Sequence, residues 1–346
     1  NKPKDSPTYE INKEQLKKIL YRVASAGAVD LSGDYPKGRL DKVLDLLLES
    51  VRTRVPSDCP FCYDNVELTT PQSKICHAGL YTGFGEEIVS FPNTSPYMVD
   101  HHLTIFADHV TDLGELNGND LVNYIASGHQ LASNFDSQGA AGILDFLNWG
   151  YEAGGSKRHP HAHRGKFVDM NHFYLQSKRA RNIQRLNGDG GAMMKELMES
   201  IREKDIFAFE NEHIFVYAVW APRYPNHVEV FFKNVGNVLD YWRPDAKEVP
   251  KDLRTAAESM LGIFHVLRSL GATDINMALH QSSFSGEPQD FMMQAEIFQR
   301  NDHMYGALEA AMLGYVIPTI PEKTAKAIRD HYARPYTKAN SLNHHP

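Results

Sequence analysis

The sixteen residues Asn148-Trp149-Gly150-Tyr151-Glu152-Ala153-Gly154-Gly155-Ser156-Lys157-Arg158-His159-Pro160-His161-Ala162-His163 decide how the rest of this chain is read. On an extended strand, residues two apart share a face, so His159, His161 and His163 present three imidazoles to one side. A histidine strand alone would read as a metal-chelating or a solvated stretch. The residues ahead of it change the reading. Gly150, Gly154 and Gly155 let backbone come close to a ligand, and backbone N–H groups with the Ser156 hydroxyl can cradle phosphate. Lys157, Arg158, Arg164 and Lys166 put four positive charges within ten residues, which fits a small polyanion better than a nucleic-acid strand. A histidine held beside a phosphate cradle can attack phosphorus as a neutral imidazole, splitting one transfer into two easier steps.

The whole chain narrows the context. Its 346 residues suit two domains or one duplicated fold, and 42% hydrophobic against 23% charged residues is an ordinary globular balance. A net charge of −7 argues against a broad nucleic-acid footprint, so any phosphate binding is local. No run of 18 apolar residues occurs and Asn1 to Glu14 is polar, so neither a membrane span nor a signal peptide is expected. Three cysteines (Cys59, Cys62, Cys76) cannot form a disulfide framework, and the expected compartment is the cytoplasm.

Hydrophobic spacing predicts helices over Asn12–Val23 and Leu40–Val51, then a change of period after Cys62. Short apolar runs at Ile88–Phe91 and Leu103–Phe106 read as strands, followed by a helix over Asn117–Asn134 and strands at Ile143–Asn148 and His161–Val168. Gln176–Arg185 and the glycine-rich run to Gly191 read as a connection, with a helix over Ala192–Arg202. The second half replays the first: strands at Phe215–Trp220 and Val228–Phe232, a helix at Leu253–Leu270, strands at Ile275–Leu279 and Phe291–Phe298, then a helix at Pro321–Ala333. An internal duplication of an α+β unit, with a helix-flanked antiparallel sheet, is the simplest account.

Two further features belong with the histidine stretch. Cys59-Pro60-Phe61-Cys62 offers two thiolates on one turn, and Asp108-His109 follows a strand. On chemistry alone, Cys59, Cys62, His109 and His159 could complete a closed, structural Cys2His2 zinc site. A redox pair, or two buried small residues, are the other readings of the cysteine turn.

Together these pieces resemble the histidine-triad superfamily, in the branch of galactose-1-phosphate uridylyltransferase that includes ADP-glucose phosphorylases. Cys59–Cys62, Asn93 with Pro96, Asp108–His109, Asn148-x-Gly150, Gly154-x-Ser156 and His159-Pro160-His161 occur in the order and spacing of that family. The resemblance is specific over about Ser57 to Val168 and looser through to about Ala333. It implies a duplicated fold with a half-barrel antiparallel sheet. Residues 1–54 would be a helical extension, 55–185 the active repeat and 186–346 a degenerate one.

The resemblance also implies roles. His161 would be the nucleophile on the α-phosphate of a nucleoside diphosphate derivative, giving a nucleotidyl-histidine intermediate that a phosphate-bearing acceptor takes up. Asn93, Asn148, Gly154, Ser156, Lys157 and Arg158 would serve the substrate phosphates. Cys59, Cys62, His109 and His159 would hold structural zinc, and two copies of the chain would pair. His163 stands where the transferases have glutamine; a histidine there is more usual in hydrolases and phosphorylases, so turnover of a nucleoside diphosphate sugar or dinucleoside polyphosphate is the alternative. A catalytically silent nucleotide sensor is a third reading, disfavoured by the intact His159-Pro160-His161. The second repeat has Gln294-Ala295-Glu296 where relatives can carry a His-x-His metal pair, so no second metal site is expected. Val316 stands where the sugar transferase grips hexose with a carboxylate, which makes galactose phosphate a doubtful acceptor.

Overall fold

The computed structural model describes residues 59–62, 65, 75–76, 89–106, 109–157, 159–176, 190–241, 249–285, 291–300 and 317–333. The chain divides into two compact units, residues 1–70 and 71–346. The helices expected at Asn12–Val23 and Leu40–Val51, like Val316, lie outside the described residues.

In the first unit, Cys59 and Cys62 are buried on one tight turn, closed by the Cys62 N–H on the Cys59 carbonyl at 3.3 Å. Asn65 extends the turn. Its backbone N–H donates to the Cys62 carbonyl (2.8 Å) and its side-chain amide to the Cys59 carbonyl (2.9 Å).

In the second unit, the described residues form a ten-stranded antiparallel sheet. Its strands are β1 (Ile75–Cys76), β2 (Val89–Pro92), β3 (His102–Ile105), β4 (Gly142–Trp149), β5 (His161–Phe167), β6 (Phe207–Glu210), β7 (Ile214–Ala218), β8 (Val228–Phe232), β9 (Ile275–His280) and β10 (Gln294–Gln299). They lie in the order β1-β2-β3-β5-β4-β9-β10-β8-β7-β6. Two identical four-strand patterns are nested in that order, β2-β3-β5-β4 and β7-β8-β10-β9. Each carries one long helix between its second and third strands in sequence: α1 (Gly118–Ser137) in the first and, after α2 (Met170–Gln176) and α3 (Gly190–Arg202), α4 (Lys251–Ser269) in the second. The chain ends its described part in α5 (Pro321–Tyr332). The fold is therefore α+β and duplicated, and its halves join through the antiparallel β4–β9 ladder from Asp145↔Leu279 to Trp149↔Ile275.

Local chemistry sets the element ends. Asn117 caps α1: its side chain accepts from the N–H groups of Asn119 and Asp120, while Asp120 accepts the Asn117 N–H at 2.8 Å. The α4 helix stops at Leu270 because Gly271 follows at φ 91°. Leu121, Ile125 and Phe135 of α1 and Met260, Phe264 and Leu267 of α4 share one core with Ile143, Leu147, Ile275, Met277 and Leu279 of the central strands. Each such side chain contributes roughly 1.5–3 kcal/mol by leaving water.

Three elements differ from the sequence expectation. The segment after β5 forms the short helix α2, and α3 starts at Gly190 rather than Ala192. The β6 strand was not expected. It is a four-residue edge strand whose register slips between Phe207 and Phe209, so no clean alternation marks it.

Candidate active site on the histidine strand

Strand β5 sorts its residues by face. Ala162 and Arg164 turn to the helix side, Ala162 into the common core and Arg164 onto α1. His161 and His163 take the other face, with ring centroids 5.0 Å apart. This separates the charges that the sequence groups together. Arg164 is fully buried, with its guanidinium on Asp145 (3.0 Å), the Ser127 hydroxyl (2.9 Å) and the Tyr124 carbonyl (2.6 Å), and it lies over the Tyr124 ring. It is a structural cation, not a phosphate ligand. Lys166 is paired with Asp100 and bonded to Gln138. Of the four charges, Lys157 is exposed on the glycine loop, and Arg158 lies outside the described residues, as does Asp108.

The loop between β4 and β5 folds back on itself. Gly150 and Gly154 both sit at φ 88°, a region that side chains with a Cβ rarely adopt. Gly155 donates to the Gly150 carbonyl at 2.9 Å, and a Cβ on Gly155 would come within 2.8 Å of the backbone oxygens of Asn148 and Gly150. Asp274, just before β9, accepts from the Glu152 N–H (2.9 Å) and fills the space above Gly150. Asn276 of β9 donates to the Asn148 side chain (2.7 Å) and the Ala153 carbonyl (2.8 Å). The second half thus holds the loop of the first, a contribution the sequence reading missed because neither residue belongs to a motif. Gly154, Ser156 and Lys157 are exposed on this loop.

Each histidine has one ring nitrogen committed. His161 places Nδ1 2.9 Å from the His159 carbonyl, so Nδ1 carries the hydrogen and Nε2 keeps its lone pair. His159 places Nε2 2.7 Å from the Phe106 carbonyl, so its Nδ1 is the unprotonated nitrogen. The His109 and His159 rings stand perpendicular at 5.0 Å. Asn93 opens the β2–β3 loop, with its amide beside His101. His163 stacks on Phe146, its cross-strand neighbour (5.0 Å, 5° between planes). Burial, with His161 and His101 close by, pulls the His163 pKa down to about 3.

Cys59, Cys62, His109 and His159 make up a donor group that could bind a metal ion. A second group, His227, Glu229 and Glu296, could do so in the other half. Glu296 does not stand alone: His227 and His280 each place Nε2 3.0 Å from one of its oxygens. Burial raises the pKa of this carboxyl, but the two histidines outweigh it and hold the group well below the usual range. In the strand order β10 is to the second half what β5 is to the first, and there Gln294 lies buried against Met194 of α3.

The fold is similar to that of solved uridylyltransferase and GalT-like structures. Among solved structures, a uridylyltransferase superposes with TM-score 0.58 at 17% identity, over 70% of this chain and 84% of that one. A GalT-like protein from Arabidopsis thaliana gives 0.58 at 19%, over 79% and 91%. An ADP-glucose phosphorylase from Arabidopsis thaliana, solved with ADP-glucose, gives 0.58 at 18%, over 80% and 90%. At these identities the likeness is one of fold. No protein-family profile matches the chain, and no curated protein does. No described helix is long and apolar enough to cross a membrane.

Proposed function

We propose that this chain is a nucleotidyltransferase that moves a nucleoside monophosphate from a nucleoside diphosphate sugar, or a similar donor, to a phosphate-bearing acceptor through a covalent bond to His161. The observation that carries the reading is the His161 ring itself: its Nδ1 hydrogen is held by the His159 carbonyl, so Nε2 offers a lone pair on the ligand side of the sheet. Nε2 attacks the α-phosphorus, a P–N bond forms, and the P–O bond to the β-phosphoryl group breaks with its electron pair leaving on oxygen. An acceptor phosphate oxygen then attacks the same phosphorus and returns the pair to Nε2. The folded-back loop, with Asn148, Gly154, Ser156 and Lys157, would serve the phosphates, and Arg158 and Asn93 belong to the same proposal.

The residues present fit a structural zinc ion held by Cys59, Cys62, His109 and His159. The hydrogen bond from His159 Nε2 to the Phe106 carbonyl is the outer support that metal-binding imidazoles ordinarily have, and it leaves Nδ1 as the ligand atom. The ion would fix the cysteine turn and the start of β5; it takes no part in the transfer. Metal analysis of the purified protein should find about one zinc per chain on this reading, and sedimentation should find the dimer implied by the family resemblance.

A phosphorylase or hydrolase of the same donors is the second reading, favoured by His163 and by the likeness to the ADP-glucose phosphorylase. One experiment separates them. Intact mass is measured after incubation with UDP-, ADP- and GDP-sugars and dinucleoside polyphosphates, beside His161→Ala. A gain of one nucleoside monophosphate, absent in the variant, is expected. Consumption of donor with phosphate or water alone would favour the second reading, and no adduct with no turnover would overturn both.

A further inference from the structure

The sequence singles out His163 but not what stands behind it. Both hydrogen-bond partners of the His163 ring among the described residues fall on Nδ1: the Tyr97 hydroxyl at 3.1 Å and His101 Nε2 at 3.1 Å. Which of these atoms carry hydrogen follows from the next bonds out. The Asn93 side-chain oxygen accepts the Ser95 N–H at 3.0 Å, so the other end of that amide is its NH2. That nitrogen is almost equidistant from Nδ1 (3.2 Å) and Nε2 (3.4 Å) of His101, so it lies over the ring face, whereas the Tyr97 backbone N–H points at Nδ1 (3.5 Å). Facing the Tyr97 N–H, Nδ1 of His101 is an acceptor, and the ring hydrogen sits on Nε2. His101 therefore donates to Nδ1 of His163, as does the Tyr97 phenol, and the His163 hydrogen is left on Nε2.

From this chain of bonds we propose that Tyr97 and His101 are positioning residues that lock His163 as a neutral imidazole with its hydrogen on Nε2. His163 thereby acts as a fixed hydrogen-bond donor to a phosphate oxygen, the part an amide N–H would play, and not as a proton source. The second clause rests on the nucleotidyl-transfer reading of the His161 face; the first does not. Phe146 fixes the plane of the ring, and the T-shaped contact of Tyr97 with His101 (4.4 Å) ties the loop residue to the strand residue. Burial also pulls the His101 pKa down to about 4, with His102 adding to the effect, and it raises that of Tyr97, so at neutral pH the donors are an uncharged imidazole and an uncharged phenol.

The test is 15N-histidine NMR on the full chain without nucleotide, with His163 assigned by His163→Gln. The expected spectrum shows His163 neutral, hydrogen on Nε2, from about pH 8 to pH 5. A ring with its hydrogen on Nδ1, or a cation at neutral pH, would overturn the proposal. Tyr97→Phe, which removes one hydroxyl, combined with His101→Leu should release the ring into a mixture of tautomers; His101→Gln, which keeps a donor, should retain the Nε2 hydrogen. An unchanged His163 tautomer in the double variant would equally overturn it. The adduct assay reads the other clause. Formation of nucleotidyl-His161 should slow about tenfold in the double variant. If no chain forms an adduct while the tautomer is as expected, the transfer reading fails and the lock stands. If adduct forms and the tautomer is wrong, the lock fails alone.

Discussion

At the scale of single residues, the most consequential placement is that of Arg164. It stands one residue after His163 and three after His161, so strand alternation sends it to the opposite, helix face of the sheet. Breaking a buried pair leaves an uncompensated charge, so Arg164→Met should lower stability by about 3–5 kcal/mol in urea unfolding. Arg164→Met with Asp145→Leu should recover most of that loss, because both charges leave together. A phosphate role for Arg164 would instead lower activity with stability intact. The sequence shows four clustered cations, and only the face on which each lies decides which of them meets a ligand. For the same reason the sequence marks Asn148 as a candidate but not its hydrogen-bond partner Asn276: 128 positions separate them.

At the scale of elements, the loop from Gly150 to Gly155 couples sequence to chemistry most directly. Gly155→Ala should push the loop away from Asn148 and Gly150, since backbone oxygens cannot yield as a flexible side chain can. Adduct formation should fall by on the order of 100-fold, with little change in the urea midpoint, because the loop is not part of the core. A fall in midpoint as large as that for Arg164→Met would show the loop to be structural instead. The long helices were readable because caps and periodicity agree, as at Asn117 and Gly271. Asn117→Ala should cost about 1 kcal/mol by the same unfolding measurement. Strand β6 was not readable, since four residues with a slipped register carry no period for a reader to find.

At the scale of the whole second unit, buried histidines set the response to acid. Burial lowers His129 and His101 to about 4 and His163 to about 3. Below the ordinary value near 6.5 the unfolded chain takes up protons that these folded rings refuse. Stability is therefore fully present above about pH 6.5 and declines as pH falls toward 4 and then 3. Thermal midpoints measured from pH 7.5 to 4 should fall along that course, and His129→Gln, away from the proposed site, should make the fall shallower. A midpoint flat to pH 4.5 would contradict the buried, neutral assignment. The duplication itself was legible from the order of strand and helix signals; which strands would meet at the middle was not, because hydrogen-bonding partners across the join share no local pattern.

The β4–β9 join has a bearing on the chain's descent. Equivalent strands of two equivalent halves that pair antiparallel are related by a local two-fold rotation, the operation that relates subunits in a symmetric pair. The molecule carries within one polypeptide the contact that two separate single-repeat subunits would make edge to edge. Once fused, the halves no longer had to stay alike. In this chain β5 presents His161 and His163, the matching Gln294 of β10 lies against α3, and Asp274 and Asn276 of the second half hold the loop of the first.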